Sequence, residues 1–305
     1  ILTAETTAAL AIKVAPSVRF AKASKAQADD AVDINAAMFA PELDLTASYT
    51  RLSPVTYPPL NFGGQTFDNP FPVILNNYLL QATVTIPVTD YFLKILPTYN
   101  AVDHNADVAK YQAQTEVQRI ALQARESFYD YVRALAAAKV AQESVQQLES
   151  YVKDLHALYE VGSVTKADSM QAQAQLSDSI SQLAIAEANV TVARDRLRRL
   201  LYLKSDAQIE VNEDIFAYSA NTPANPQTML GQALRNRPEL KALRSLAKVR
   251  DASMQAEQAR RLPNLAVVGN LDYANPNTRY TPLTEEFRAT WNVGAVLRWS
   301  PNDFV

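Results

Sequence analysis

Tyr159-Glu-Val-Gly-Ser-Val-Thr-Lys-Ala-Asp168 joins two long periodic segments. Before it, Phe128, Tyr131, Leu135, Ala138, Gln142, Val145, Leu148, Val152, Leu155 and Tyr159 fall three or four residues apart, which places them on one stripe of an α-helix. No proline interrupts the run from Thr98 to Val161, and Ala, Gln, Glu, Lys and Arg fill its other faces, all residues that lose little entropy on becoming helical. At ~1.5 Å per residue the predicted helix from Thr98 to Val161 is roughly 95 Å long. After the decapeptide, Leu176, Leu183, Val190 and Leu197 repeat every seven residues, with Ile180 and Leu201 near the intermediate positions, the spacing of a coiled coil. Gly162 supplies backbone freedom for a reversal, Thr165 is the expected cap of the incoming helix, and Asp168 sits in its first turn, where the helix dipole favours an anion. The stretch therefore predicts a long antiparallel helical hairpin over residues 91–203, with a defined tip.

Composition narrows what such a rod does. The formal net charge is -3 and there is no basic block, which argues against a nucleic-acid partner. Gly accounts for only 6 of 305 residues, and no Gly-rich phosphate loop is found. With no Cys there is neither a disulfide framework nor a thiolate metal site, a usage that fits an oxidising compartment. His104 and His156 lie far apart on the same predicted helix, neither has a second ligand at metal spacing, and both read as solvated helix-face residues. Acidic residues are scattered along helix faces instead of being paired for acid–base work. The reading expects no enzyme, no catalytic residue, no cofactor and no metal. No window of ~20 apolar residues is present, so no membrane-spanning helix is expected. The chain opens at Ile1-Leu-Thr-Ala-Glu without a charged segment and apolar core, and an export signal is expected to have been removed.

Outward from the hairpin the period changes. Residues 1–40 read as a first helix with Thr3 as its cap, kinked by Pro16. Across 41–90, Leu43, Leu45, Ala47 and Tyr49 alternate with polar residues, and after a Pro- and Asn-rich loop from Ser53 to Pro72 the alternation resumes at Leu80, Ala82, Val84, Ile86 and Val88. This predicts two strands, each with one apolar face. Residues 204–228 read as a small mixed segment. The beginning of the chain then recurs: Ala9-Leu10, Pro16 and Pro41 are echoed by Ala233-Leu234, Pro238 and Pro263, with identical spacing within the two proline pairs. Residues 229–262 supply the second helix and 263–305 a second strand pair, joined by a Pro- and Asn-rich loop from Ala274 to Thr284. This is an internal duplication of large units whose second copy is incomplete at Val305.

Four strands of about ten residues need an environment. Tyr49, Tyr273, Phe287, Trp291 and Trp299 cluster toward strand ends, as in the interfacial girdles of outer-membrane barrels. Pro41, Pro87, Pro263 and Pro301 mark the helix-side ends. Strands in lipid cannot leave open edges, and four strands are too few to close a barrel when about eight is the practical minimum. The barrel must then be shared between protomers, eight strands for a twofold assembly or twelve for a threefold one. A soluble coiled-coil scaffold with a β-sandwich head is the alternative.

Helix, strand, loop, strand and long hairpin, duplicated, with Tyr159-Glu-Val-Gly162 followed by Asp168 and Ala172 and then a Leu heptad, resembles the TolC family of bacterial outer-membrane efflux proteins. The resemblance covers the whole chain. It implies a mainly α fold with a β part: a periplasmic α-barrel of coiled-coil hairpins continuous with a shared transmembrane β-barrel of twelve strands, in a homotrimer in the outer membrane. It implies a passive export duct of a tripartite efflux or type I secretion system, partnered by a periplasmic adaptor, an inner-membrane transporter and outer-membrane lipid. By position it assigns Val161, Gly162, Ser163, Val164 and Thr165 to adaptor docking. On the strands, Thr46, Ser48, Thr83, Thr85, Asn270 and Arg298 are expected to face the lumen, with the alternating apolar residues facing lipid. The family often has Gly where the second strand passes into the long helix; here Thr89-Asp-Tyr-Phe-Leu93 has none and Pro97 follows, predicting a stiffer or kinked junction. The family's second hairpin, with its gating residues, is expected beyond Val305.

Overall fold

The structure, a computed structural model, describes residues 2–55, 60–62, 65–67, 73–204, 206–207, 209–211 and 225–300. In order the elements are α1 (Ala4–Val14), α2 (Pro16–Ala36), β1 (Glu42–Arg51), β2 (Leu60–Phe62), β3 (Gln65–Phe67), β4 (Asn76–Ile86), α3 (Val88–Asp90), α4 (Leu96–Glu160), α5 (Lys166–Leu200), α6 (Pro226–Asn236), α7 (Pro238–Ala259), β5 (Asn264–Asn275) and β6 (Arg288–Arg298). Contacts divide them into one unit of Ile1–Ala26 with Val108–Leu243 and another of Gln27–Asp107 with Arg244–Val305.

In the first unit α1 packs on α4 and α5. Small residues on one face of the first helices, Ala4, Ala8, Ala11 and Ala15, let the backbones approach, and with Val18 they bury Ile120, Ala124, Phe128, Tyr131 and Val132 of α4 and Leu197 and Leu201 at the end of α5. Phe128 is completely buried, worth roughly 1.5–3 kcal/mol of transfer free energy. At the rim Arg125 donates two bonds to the Glu5 carboxylate, Nε at 3.1 Å and Nη2 at 2.8 Å. Thr3 caps α1 as expected, and Thr6 answers it in a reciprocal capping box.

The hairpin helices are α4, of 65 residues, and α5, of 35. Two members of the predicted α4 stripe, Gln142 and Tyr159, are exposed, whereas Val145 between them is buried. On α5 the leucine heptad faces inward, but Ile180 is 49% exposed and the buried intermediate residues are Ala172 and Ser179, continued by half-buried Ala186 and Ala193. The reason is steric. Small side chains at these positions admit a closely packed helix, and Ser179 donates its hydroxyl to Ser144 at 3.4 Å, so the branched side chain one residue on is turned outward.

The duplication is visible in the backbone. Ala15, before Pro16, has φ -60° and ψ 123°, and Arg237, before Pro238, has φ -60° and ψ 120°. Each donates its N–H to the residue four back, Ala11 and Ala233. The next residue is a proline that has no N–H and disfavours helix before it. Structurally Ala233 therefore corresponds to Ala11, a correction to the Ala9-Leu10 pairing read from the sequence. The predicted single first helix is accordingly broken into α1 and α2, followed by a 3₁₀ turn at Ala37–Phe39.

In the second unit the strands form one antiparallel sheet in the order β1-β4-β5-β6. Pro41 and Pro263 immediately precede β1 and β5, and Pro87 follows β4; Pro301 lies outside the described residues. The loop predicted between β1 and β4 holds a short antiparallel hairpin, β2 with β3, which the Pro/Gly content had concealed. Beyond Pro87 the chain turns into α3, so Val88 leaves the strand alternation, and then into a π-helical turn, Tyr91–Ile95, in which the Leu96 N–H reaches the Tyr91 carbonyl. The wider turn accommodates Pro97, which cannot donate to the preceding turn, and gives the predicted kink a concrete form. Of the segment 204–228, a parallel bridge joins Leu2 to Val211, and α6 already begins at Pro226.

Candidate functional site

Two places concentrate what the helical core does not explain: the four-stranded sheet and the hairpin tip.

The register resolves the sheet into rows. On one face lie Leu43–Val84–Gly269–Val293, Leu45–Ala82–Leu271–Trp291 and Ala47–Leu80–Tyr273–Ala289. These side chains are not covered: Leu45 is 76% exposed, Trp291 70% and Val293 68%. On the other face lie Asp44–Thr83–Asn270–Asn292 and Thr46–Gln81–Asp272–Thr290. Here the polar groups bind one another across strands. Thr83 Oγ1 donates to Asn270 Oδ1 at 2.8 Å, Asn270 Nδ2 to Asn292 Oδ1 at 3.0 Å, and Gln81 Nε2 to Asp272 Oδ1 at 2.8 Å. Ser48 shares this face with Arg288, Thr85 with Glu42, and Arg298 with Asn264. The proposed lumen residues Thr46, Ser48, Thr83, Thr85, Asn270 and Arg298 thus lie on a single face.

At the loop end of the apolar face, aromatic rings form a chain. Tyr49 and Tyr78 have centroids 5.0 Å apart, Tyr78 and Phe287 5.8 Å, and Phe287 and Tyr273 5.2 Å. Trp291 lies further along the same face, and Trp299 stands at the helix end, where its indole N–H donates to the Arg261 carbonyl at 3.3 Å. The sequence reading named five of these residues as one girdle; the structure brings three together, separates Trp291 and Trp299, and adds Tyr78. A second aromatic group lies at the helix end, where Phe39 meets Tyr91 at 6.5 Å and Tyr99 at 5.8 Å. Tyr78 was detectable only through register, because it stands opposite Tyr49. From Phe287 to Trp299 the chain runs about 40 Å at ~3.4 Å per residue, or about 30 Å in height at a barrel tilt of ~40°, which is the thickness of a hydrocarbon core. Both outer strands, β1 and β6, have one unpaired edge among the described residues.

At the tip, Gly162 adopts φ 77°, a left-handed conformation that costs other residues energy. Its N–H bonds the Tyr159 carbonyl at 2.9 Å and the Ser163 N–H reaches the Leu158 carbonyl at 2.9 Å, the paired bonds of a Schellman motif. Thr165 then starts α5. Its hydroxyl accepts from the Asp168 N–H at 3.2 Å, and the Asp168 carboxylate accepts from the Thr165 hydroxyl at 2.6 Å and N–H at 3.0 Å. The Thr165 hydroxyl, and then its N–H, hold the Asp168 carboxyl below its ordinary range. The reversal is therefore rigid although exposed. It presents Val161, 74% exposed, beside exposed Leu158, Tyr159 and Met170, while Val164 is half-buried. Gly162, Ser163 and Thr165 complete the surface.

The two histidines do not join a site. His156 is exposed, 3.6 Å from Glu160, and His104 is half-buried with Nδ1 lacking a partner. Among the described residues no group of three or more His, Asp or Glu is placed to hold a metal, and no helix is long and apolar enough to cross a membrane.

A model of the family described as outer membrane efflux protein matches residues 8–201, more than half of the chain. No curated protein sequence matches it. Among solved structures, CusC superposes with a TM-score of 0.75 at 15% identity over 97% of this chain and 65% of its own. The outer-membrane channel OprN gives 0.76 at 18% identity over 99% of this chain and 65% of its own. The outer membrane protein VceC from Vibrio cholerae gives 0.75 at 17% identity, covering 97% and 68%. The chain spans about 65% of the length of the first two. At these identities the likeness is one of fold.

Proposed function

The chain belongs to the outer membrane efflux protein family, and we propose that it forms a passive export duct in the bacterial outer membrane, with a long periplasmic portion. The observation that carries this reading is the two-faced sheet with unpaired edges. An exposed face of Leu, Val and Trp is unfavourable in water and favourable in lipid, but lipid forbids open edges. Pairing β6 of one copy with β1 of the next satisfies both demands. Three copies contribute twelve strands, enough for a closed barrel, with the polar rows turned inward as a lumen. A β-sandwich head on a soluble scaffold would need a second sheet over the apolar face. Among the described residues, the only other sheet is the short β2–β3 pair.

Cargo moves through this lumen without a catalytic centre, energised by an inner-membrane transporter. A periplasmic adaptor docks at Val161, Gly162, Ser163, Val164 and Thr165. Membrane fractionation tests the first part: the protein should require detergent and run as a trimer, and recovery from the soluble extract would return the scaffold reading. For the tip, Val161→Lys or Val164→Lys should abolish export while trimers persist. Export at the wild-type rate would reduce the turn to a connector.

A further inference from the structure

The polar face of the sheet is not bare at its loop end. The connection after β5 folds back over it, held by Asn277, which is only 5% exposed. Asn277 Nδ2 donates to the Arg288 carbonyl at 2.9 Å and to Thr290 Oγ1 at 3.1 Å. Its Oδ1 accepts the Arg279 N–H at 3.0 Å, and its carbonyl accepts the Tyr280 N–H at 3.2 Å. The Arg279 guanidinium donates to the Trp291 carbonyl at 3.1 Å, and the Arg288 guanidinium lies 4.6 Å from the Tyr280 ring centre. Arg288 also bonds Glu286 at 2.9 Å.

Thr290 belongs to the row of Thr46, Gln81 and Asp272, so these bonds tie the connection to the polar face and away from the apolar one. Between the two lies a cleft of about 370 Å³, with Ser48, Gln81, Asp272 and Thr290 on the sheet side and Pro276, Thr278 and Arg279 on the loop side. The cleft reaches Ser48 and Thr50 on β1, so the space beneath the loop opens across the sheet to its edge strand. Its partners are backbone carbonyls and a hydroxyl at fixed places in a ladder, which makes it a rigid strap: four bonds converge on one buried amide residue, and leaving that amide unpaired would be costly.

We propose that residues 276–279 form an inward constriction at the external mouth of the duct, with Asn277 as its positioning residue and Thr278 and Arg279 as the groups that passing cargo meets. This rests on the reading of the polar face as the lumen. Three copies of the strap narrow the mouth and place three Arg279 side chains around it, so the constriction limits cargo size and favours anionic over cationic solutes of equal size.

The chain has no Cys, so Thr278→Cys and Thr46→Cys each give a single reactive position. The assembled variants, reconstituted in planar bilayers, are exposed to a negatively charged methanethiosulfonate reagent while current is recorded. Thr46→Cys reports on the lumen beneath the strap and Thr278→Cys on the strap itself. Stepwise loss of current in both supports the proposal. Block of Thr46→Cys with unchanged current through Thr278→Cys places the loop outside the path and overturns the constriction while leaving the duct intact. Absence of current from the unsubstituted protein, or of block in both variants, overturns the duct reading and the constriction with it. Asn277→Ala, which frees the strap, should raise conductance and the size limit for neutral polymers; wild-type values in both would remove Asn277 from its positioning role.

Discussion

The three-helix core around Phe128 and the sheet around Leu45 and Trp291 carry similar side chains and treat them in opposite ways. The first buries its apolar stripe within one chain; the second, among the described residues, leaves its apolar face exposed and its edges unpaired. The difference is one of backbone. An α-helix satisfies its own N–H and C=O groups, so α1, α4 and α5 need only bury side chains. A strand satisfies half of its backbone groups on each side, so β1 and β6 remain incomplete until another strand arrives. The core is thus a property of the single chain, whereas in the proposed duct the sheet is completed by lipid and by further copies of itself.

The largest expected effect falls on the self-sufficient side. Phe128→Ala should lower stability toward denaturant by about 3–5 kcal/mol, through lost transfer free energy and an unfilled cavity. Trp291→Ala, although larger in volume removed, should leave detergent-solubilised stability nearly unchanged; equal losses at the two sites would erase the distinction between core and sheet.

Next in size is the contrast between the faces of the sheet. Val293→Lys or Val84→Lys should cost about 2–4 kcal/mol per copy in a bilayer, whereas Asn292→Lys or Thr83→Lys should cost little. Folding into lipid vesicles followed by gel shift reads this directly. Equal tolerance of charge on both faces would overturn the assignment of lipid and lumen sides.

A smaller effect of about 1 kcal/mol is expected for Thr165→Ala, which removes the cap of α5 and one half of the reciprocal pair with Asp168. Hydrogen exchange should rise in the first turn of α5 and remain unchanged around Phe128. Spread of the effect into the core would show that tip and core unfold together.

The smallest effect depends on pH. The Arg119 guanidinium, helped by Ser17, lowers the Glu116 carboxyl from 4.5 to about 2. Because the folded value is the lower one, the contribution is fully present above the ordinary carboxylate range and is lost as pH falls from about 4.5 toward 2. A pair this close to the surface contributes only about 0.5 kcal/mol. Glu116→Gln should flatten the acid limb of the stability curve by that amount, and an unchanged limb would assign acid sensitivity elsewhere.

Much of this was legible in the residues. Alternation at Leu43, Leu45, Ala47 and Tyr49 identified a strand and its apolar face, because successive side chains must point to opposite sides. Gly162, Thr165 and Asp168 marked the reversal, because positive φ and orphan N–H groups each call for particular residue types. Pro16 announced an interruption of the first helix for the same local reason, whereas the matching break at Pro238, inside the single helix read over 229–262, is seen only in the structure. Side-chain period, cap chemistry and proline geometry are all decided within a few residues of the chain, and so the amino-acid sequence alone determined the long elements, the two faces of each long strand and the duplication, but not the short β2–β3 pair or the inward residues of α5.

Tertiary structure decided what depends on distance between elements. The pairing of Tyr49 with Tyr78, and of Tyr78 with Phe287, is a matter of register, which alternation leaves free. Ser179 instead of Ile180 occupies the seam of the hairpin because the separation of two helices, not the period of one, selects the side chain that fits. The strap at Asn277 read only as a Pro- and Asn-rich loop, since nothing local says over which face a loop will fold. Its direction was set by carbonyls and a hydroxyl on β6, groups that come into place only once the sheet has formed.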